Sequence, residues 1–323
     1  MDKQMIEEIT NLVMESLSDE NTSKKEEQRP IKIWRHNSKE KRVEQANGVF
    51  KDQPDVSGKV KISNFIRPSP AEKKKVQKKG ESQEKAPPSE EDLKDLTSQT
   101  PARIGVGRAG VRPKTNTWLQ FRYDHAAAVD AVFGQVDESL LNDLDLFIVN
   151  TKVTNQETYI RRPDYGRKLS DEAVRTIKEK CKHKPLVQII VSDGLSSKAI
   201  NENLEDVYLS LQQSLNSLGM EVGTSFFIEK GRVAVMDDVG EYLQPDVIVL
   251  LIGERPGLVS AESLSAYLCY KPRHGTIESQ RQVVSNIHRG GIPPVEAGAY
   301  LGGVIEKILD YEASGVDLVK KEG

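Results

Sequence analysis

The stretch from Asp246 to Leu264 reads DVIVLLIGERPGLVSAESL. Six apolar residues, Val247 to Ile252, end in Gly253, and Glu254, Arg255, Pro256 and Gly257 follow at once. A second carboxylate, Asp193, stands in SDGLS (Ser192–Ser196) after another apolar run. A carboxylate accepts hydrogen bonds and donates none. Held on tight backbone, it repels a phosphate and suits a ligand rich in amide N–H or hydroxyl groups. The two loops therefore predict a large, donor-rich, weakly anionic ligand. The plain alternative for Glu254 is a salt bridge to Arg255 or to a loop arginine.

Other chemistries find little support. GVGRAG (Gly105–Gly110) matches the dinucleotide fingerprint letter for letter. That motif has to follow a strand and open a helix, whereas Pro113 stops a helix from starting at the third glycine. A glycine-rich entry loop carrying Arg103, Arg108 and Arg112 fits better, packed on a partner or on a negative group. There is no G-x-x-x-x-G-K-[ST] phosphate loop. The five histidines, His36, His125, His183, His274 and His288, are scattered without a metal pattern. Ser192 and Asp193 are adjacent, but G-x-S-x-G is absent, so nothing indicates a serine hydrolase.

Composition bounds the setting. The 323 residues carry a formal net charge of -3, so no basic field points to nucleic acid. The two cysteines, Cys181 and Cys269, suit a reducing compartment and no disulfide scaffold. MDKQMIEEITNLVMESL is not a secretory signal, and no run approaches the ~18 apolar residues of a membrane span. A soluble intracellular protein is expected, with no nucleic-acid or membrane partner.

The elements that must position the two carboxylates are strands. LVQIIVS and DVIVLLIG are apolar on both faces, as in the middle of a parallel sheet. LDLFIVN and TSFFIEKG are further strands. Helices are expected over TWLQFRYDHAAAVDAVFG, with Leu119, Tyr123, Ala126 and Ala127 on one face, over SDEAVRTIKEKC with Ser170 as N-cap, over NLEDVYLSLQQSLNSLG ending at Gly219, over RVAVMDDVGEYL, and over PPVEAGAYLGGVIEKILDYEASG. The alternation predicts an α/β fold: a Rossmann-like, mainly parallel sheet with helices on both faces, preceded by a disordered N-terminal region. Ligands of such sheets bind at the carboxyl ends of the strands, where SDGLS and GERPG lie.

Three regions follow. Residues 1–17 place Met5, Ile6, Ile9, Leu12, Val13 and Leu17 at spacings of three and four, an amphipathic helix for docking on a core or on a partner. Residues 18–97 are charged and proline-dotted, with apolar residues too sparse to offset ordering entropy, and read as a disordered linker. Residues 98–323 read as the α/β domain.

RIGVGRAGVRPKT, RRPDYGRKLSDEA, IIVSDGLSS, GTSFFIEKGRVAV, VLLIGERPGLVSAESLSAY and SNIHRGGIPPVEA closely resemble, in this order, the small subunit of ethanolamine ammonia-lyase. The likeness covers about Pro101 to Gly315. It implies a subunit of a carbon–nitrogen lyase (EC 4.3.1.7) that uses adenosylcobalamin to convert ethanolamine to acetaldehyde and ammonia. It implies that catalytic residues and substrate lie on a large subunit, and that this chain holds the lower, nucleotide side of the cofactor between the two. It also implies six copies of each chain, as a trimer of heterodimer pairs, in the bacterial cytoplasm inside an ethanolamine-utilisation microcompartment. The N-terminal helix is then the link to the shell.

The resemblance carries three cofactor contacts to Val233 in KGRVAV, Glu254 in IGERPG and Val284 in RQVVSNIH. Family members can have cysteine at the third position, where this chain has valine. A contact through sulfur is lost, and one through backbone or packing is kept. Cobalamin enzymes that replace the nucleotide base with a histidine resemble one another in D-x-H-x-x-G. DHAAAV and IHRGGI both fail that pattern. The cofactor is therefore expected to keep its own base on cobalt, in a pocket lined by Val233 and Val284.

Overall fold

A computed structural model describes residues 90–100, 103–257 and 260–323. The expected helix 1–17 and most of the expected linker 18–97 lie outside the described residues. Among the described residues, the last part of the expected linker forms a helix over Glu90–Ser98. The GVGRAG segment forms a two-residue ribbon, β1 (Arg108–Ala109) against β2 (Arg112–Pro113), and the next helix starts only at Thr115. The strand-to-helix turn that a dinucleotide needs is therefore not formed there, and a stand-alone nucleotide-binding oxidoreductase loses its structural basis.

Six strands form one sheet: β3 (Phe147–Asn150), β4 (Val187–Ser192), β5 (Phe226–Glu229), β6 (Val247–Gly253), β7 (Leu264–Tyr270) and β8 (Arg281–Ile287), in spatial order β3-β5-β4-β6-β7-β8. The first four run parallel, and β7 and β8 add antiparallel pairings. The sheet is thus mixed, which corrects the mainly parallel expectation. The sequence assigns no strand to LSAYLCY or RQVVSNI. Both mix serine and other polar residues with apolar ones, and β8 is an edge with five of its seven residues only partly covered or exposed.

The two central strands are buried throughout, as their two-sided apolar pattern predicts. Successive side chains alternate between faces. Val187, Ile189 and Val191 join the core with helices Ser197–Ser217 and Pro294–Asp310. Ile190, Ile248, Leu250 and Ile252 join helices Asp171–Lys180 and Val235–Leu243 on the other face. Helices on both faces are as expected, and so are two ends: Ser170 Oγ accepts from Ala173 N at 3.0 Å, and Gly219 adopts φ +68° after its helix. Helices Ser197–Ser217 and Pro294–Asp310 meet closely through small residues. Ser210 Oγ donates to Val295 O at 2.7 Å and Ser214 Oγ to Ala299 O at 3.0 Å.

Helix Thr115–Phe133 departs from expectation. It buries only Ala131, while Leu119 and Tyr123 on its singled-out face are exposed. Its Asp124 pairs with Arg103 of the glycine-rich entry segment.

Candidate functional site

The loops after β4 and β6 touch through glycines. Gly194 has φ +55°, and a Cβ built on it would come within 2.3 Å of Gly253 O. Leu195 N donates to Gly253 O at 3.0 Å. With no side chains between them, the two loops form the floor of a cleft of about 350 Å³ at the carboxyl edge. Its lining comes from separated segments: Tyr159, Gly194 and Leu195, Arg232 and Val233, Ile252 to Arg255, Ser265, Tyr267 and Ser285.

Glu254 is fixed in this cleft. Its N–H donates to Ser263 O at 2.9 Å. Its Oε1 accepts from Asn286 N at 3.1 Å and from Ser265 Oγ. The Ser265 and Ser285 hydroxyls are 3.1 Å apart. Ser265 has one proton and the carboxylate is the stronger acceptor, so Ser285 donates to Ser265 in turn. Oε2 has no protein partner among the described residues, and no ion pair there involves Glu254. The alternative of a structural salt bridge therefore gives way to a carboxylate clamped at one oxygen and available at the other.

Val233 lines the same cleft. Val284 does not. Its partner across the ladder is Ala266, and its side chain packs on the core with helices Ser197–Ser217 and Pro294–Asp310. Its neighbour Ser285 points to the cleft instead, as alternation along a strand requires. Asp193 shares the edge but faces a neighbouring hollow of about 210 Å³ beside Gln135, Gln156 and Lys230. The two loop carboxylates do not converge. Asp193 Oδ1 accepts from Lys230 N at 2.7 Å, and burial pushes its carboxyl up to about 6 against that bond.

The profile of the ethanolamine ammonia-lyase light chain family matches residues 90–319. The ethanolamine ammonia-lyase small subunit of Lachnoclostridium phytofermentans is 50% identical over 230 residues, 71% of this chain and 78% of that protein. The small subunit of Clostridium acetobutylicum is 50% identical over 229 residues, 71% of this chain and 95% of its own length. That of Listeria monocytogenes is 46% identical over 232 residues, 72% and 79%. The chain belongs to the ethanolamine ammonia-lyase light chain family.

Within this light chain, the sequence singled out Glu254 and Val233 and missed Tyr159, Arg232, Ser265, Tyr267, Ser285 and Asn286. Only Arg232, next to Val233 in KGRVAV, had a local signal. Tyr159 comes from helix Gln156–Arg161 and meets Arg232 there, and the others come together through pairing of β6, β7 and β8. Burial raises the Tyr267 phenol, so it stays protonated as a donor at neutral pH. The family match starts at residue 90. The Clostridium acetobutylicum light chain is almost wholly matched, which leaves it little room for an N-terminal segment of this length. No described helix is long and apolar enough to cross a membrane.

Proposed function

We propose that this chain is the small subunit of an adenosylcobalamin-dependent ethanolamine ammonia-lyase, and that the Glu254 cleft receives the lower, nucleotide side of the cofactor where a large subunit covers it. The observation that carries this reading is the Glu254 carboxylate, clamped at Oε1 and free at Oε2, beside Val233 in a member of this family. The donor set suits the group. Corrin side chains are amides and the nucleotide brings ribose hydroxyls, and both donate to a free carboxylate oxygen. Val233 and Tyr267 offer apolar surface to a base that remains on cobalt. Contact at Val284 runs through backbone, since its side chain packs on the other face of the sheet.

When bound, the cofactor supplies the radical chemistry that converts ethanolamine to acetaldehyde and ammonia. The residues of this chain bind and orient it and exclude water from its lower side, which protects reactive intermediates. The large subunit carries substrate and catalytic residues, in an assembly of six copies of each chain. Residues 1–17 dock the enzyme on a microcompartment shell, residues 18–97 serve as tether, and residues 98–323 hold cobalamin. The light chain alone, titrated with adenosylcobalamin and ethanolamine, is expected to release no acetaldehyde, and the reconstituted pair is expected to release it. Turnover by the light chain alone overturns the non-catalytic role, and a reconstituted pair indifferent to cobalamin overturns the cofactor.

A further inference from the structure

The cleft contains a cation as well as a carboxylate. Arg232 is half-buried, and its stem and guanidinium are tightly placed. Its N–H donates to Gly166 O at 2.7 Å, and a Cβ on Gly166 would come within 2.8 Å of Arg232 Cγ. The guanidinium carbon lies 4.1 Å from the centre of the Tyr159 ring, and Nη2 donates to Tyr159 O at 3.0 Å. Tyr159 is itself fully buried and donates from its hydroxyl to Gly231 O at 2.8 Å.

What this guanidinium lacks is a counterion. Among the described residues no carboxylate pairs with Arg232, and its Nε is buried without a hydrogen-bond partner. The more deeply buried Arg281, whose Nε likewise has no hydrogen-bond partner, differs in its counterion: Nη2 lies on both oxygens of Asp237 at 2.7 and 2.8 Å. A cation withdrawn from water with no partner is costly, and an incoming anion offsets that cost.

The backbone beside it points the same way. Arg232 leads directly into helix Val235–Leu243, whose N-cap residue Ala234 makes no side-chain cap. The N–H groups of Val233 and Ala234 find no acceptor among the described residues. The two acids of the first turn are engaged elsewhere, Asp237 by Arg281 and Asp238 by Lys168 and Leu169 N. The helix's positive end is thus left with an arginine and unused donors, the combination that receives phosphate groups.

We infer that Arg232 is an anion-binding residue of this cleft and that its partner is the phosphodiester of the ligand. The inference rests on the cobalamin reading, and it divides the cleft. Arg232 and the 233–234 backbone take the one negative group, and Glu254 takes donors. It also corrects the expectation that this edge repels phosphate, which considered the carboxylates alone.

Adenosylcobinamide and adenosylcobinamide phosphate differ by the phosphate. Their affinities are measured for the complex of light and large subunits, with wild-type Arg232, Arg232→Gln and Arg232→Lys, and with adenosylcobalamin as reference. Wild type is expected to prefer the phosphate-bearing corrinoid by about tenfold or more. Arg232→Gln is expected to lose that preference with little change toward adenosylcobinamide, and Arg232→Lys to keep part of it. A wild type that does not distinguish the two corrinoids overturns the assignment. So does a preference that survives Arg232→Gln, or an equal loss for both corrinoids, which marks Arg232 as a structural support of Tyr159 and Gly166. A wild-type complex that does not bind adenosylcobalamin overturns the cofactor reading itself, and the phosphate assignment with it.

Discussion

Asn286 N donates to Glu254 Oε1 at 3.1 Å, although β7 lies between their strands in the sheet. The bond spans the cleft's rim, and Asn286 adopts φ +64° to make it. With the Ser265 hydroxyl it holds one oxygen of the carboxylate and leaves the other to a ligand.

Glu254→Gln tests that division. The amide keeps one acceptor for Ser265 and Asn286 and turns the free oxygen into a donor. A hydrogen bond to a charged acceptor contributes about 1.5–3 kcal/mol, so adenosylcobalamin affinity of the reconstituted complex is expected to fall roughly ten- to hundredfold. Unchanged affinity in a folded variant removes Glu254 from the contact.

Asp193 gives a pH signature of stability. Burial raises its carboxyl to about 6, above the ordinary value of an unfolded aspartate, about 3.9. Between these values the unfolded chain releases the proton first, so stability is expected to fall as pH rises from about 4 to about 6 and then to level off. Asp193→Asn keeps an acceptor for Lys230 N and never ionises. Thermal unfolding of this variant is expected to lose that decline and to show a higher midpoint than wild type at pH 7. A variant with the wild-type pH profile contradicts the assignment.

Gly298 sets the approach of the two long helices. A Cβ there would lie 2.5 Å from Val207 O and 2.9 Å from Leu211 N, both backbone atoms that cannot turn aside. Gly298→Ala gains about 1 kcal/mol in helix propensity, whereas forcing packed helices apart costs about 1–3 kcal/mol and occasionally more. A net loss is expected, read as a lower unfolding midpoint. A variant more stable than wild type shows that the seam has slack.

Deletion of residues 1–17 tests the shell proposal. On the proposed tether reading, at ~5–6 Å × √n a flexible linker of about 80 residues would hold its ends ~50 Å apart on average. That reach suits a neighbouring surface, with Met5, Ile6, Ile9 and Leu12 as anchors in an apolar groove. The truncated enzyme is expected to keep cofactor affinity and activity and to disperse from shells when followed by fluorescence. Continued co-localisation, or unfolding of the domain, counts against it.

The sequence alone determined what local pattern encodes. Apolarity on both faces marked β4 and β6 as central strands, Ser170 and Gly219 marked helix ends, and long motifs marked the family and placed Glu254 at a strand's carboxyl end. Tertiary structure decided the rest, because it turns on pairing between distant segments. β7 and β8 carry patterns too mixed to read as strands until β6 supplies a ladder for them. A register shift between Leu264 and Ala266 sets which residues of that ladder face the cleft. By that parity Ser265, Tyr267 and Ser285 enter it and Val284 leaves it. Arg232 was likewise visible as a letter beside Val233. Its missing counterion appears only once Tyr159 and Gly166 fold against it, since burial and partners belong to the assembled chain and not to any one stretch.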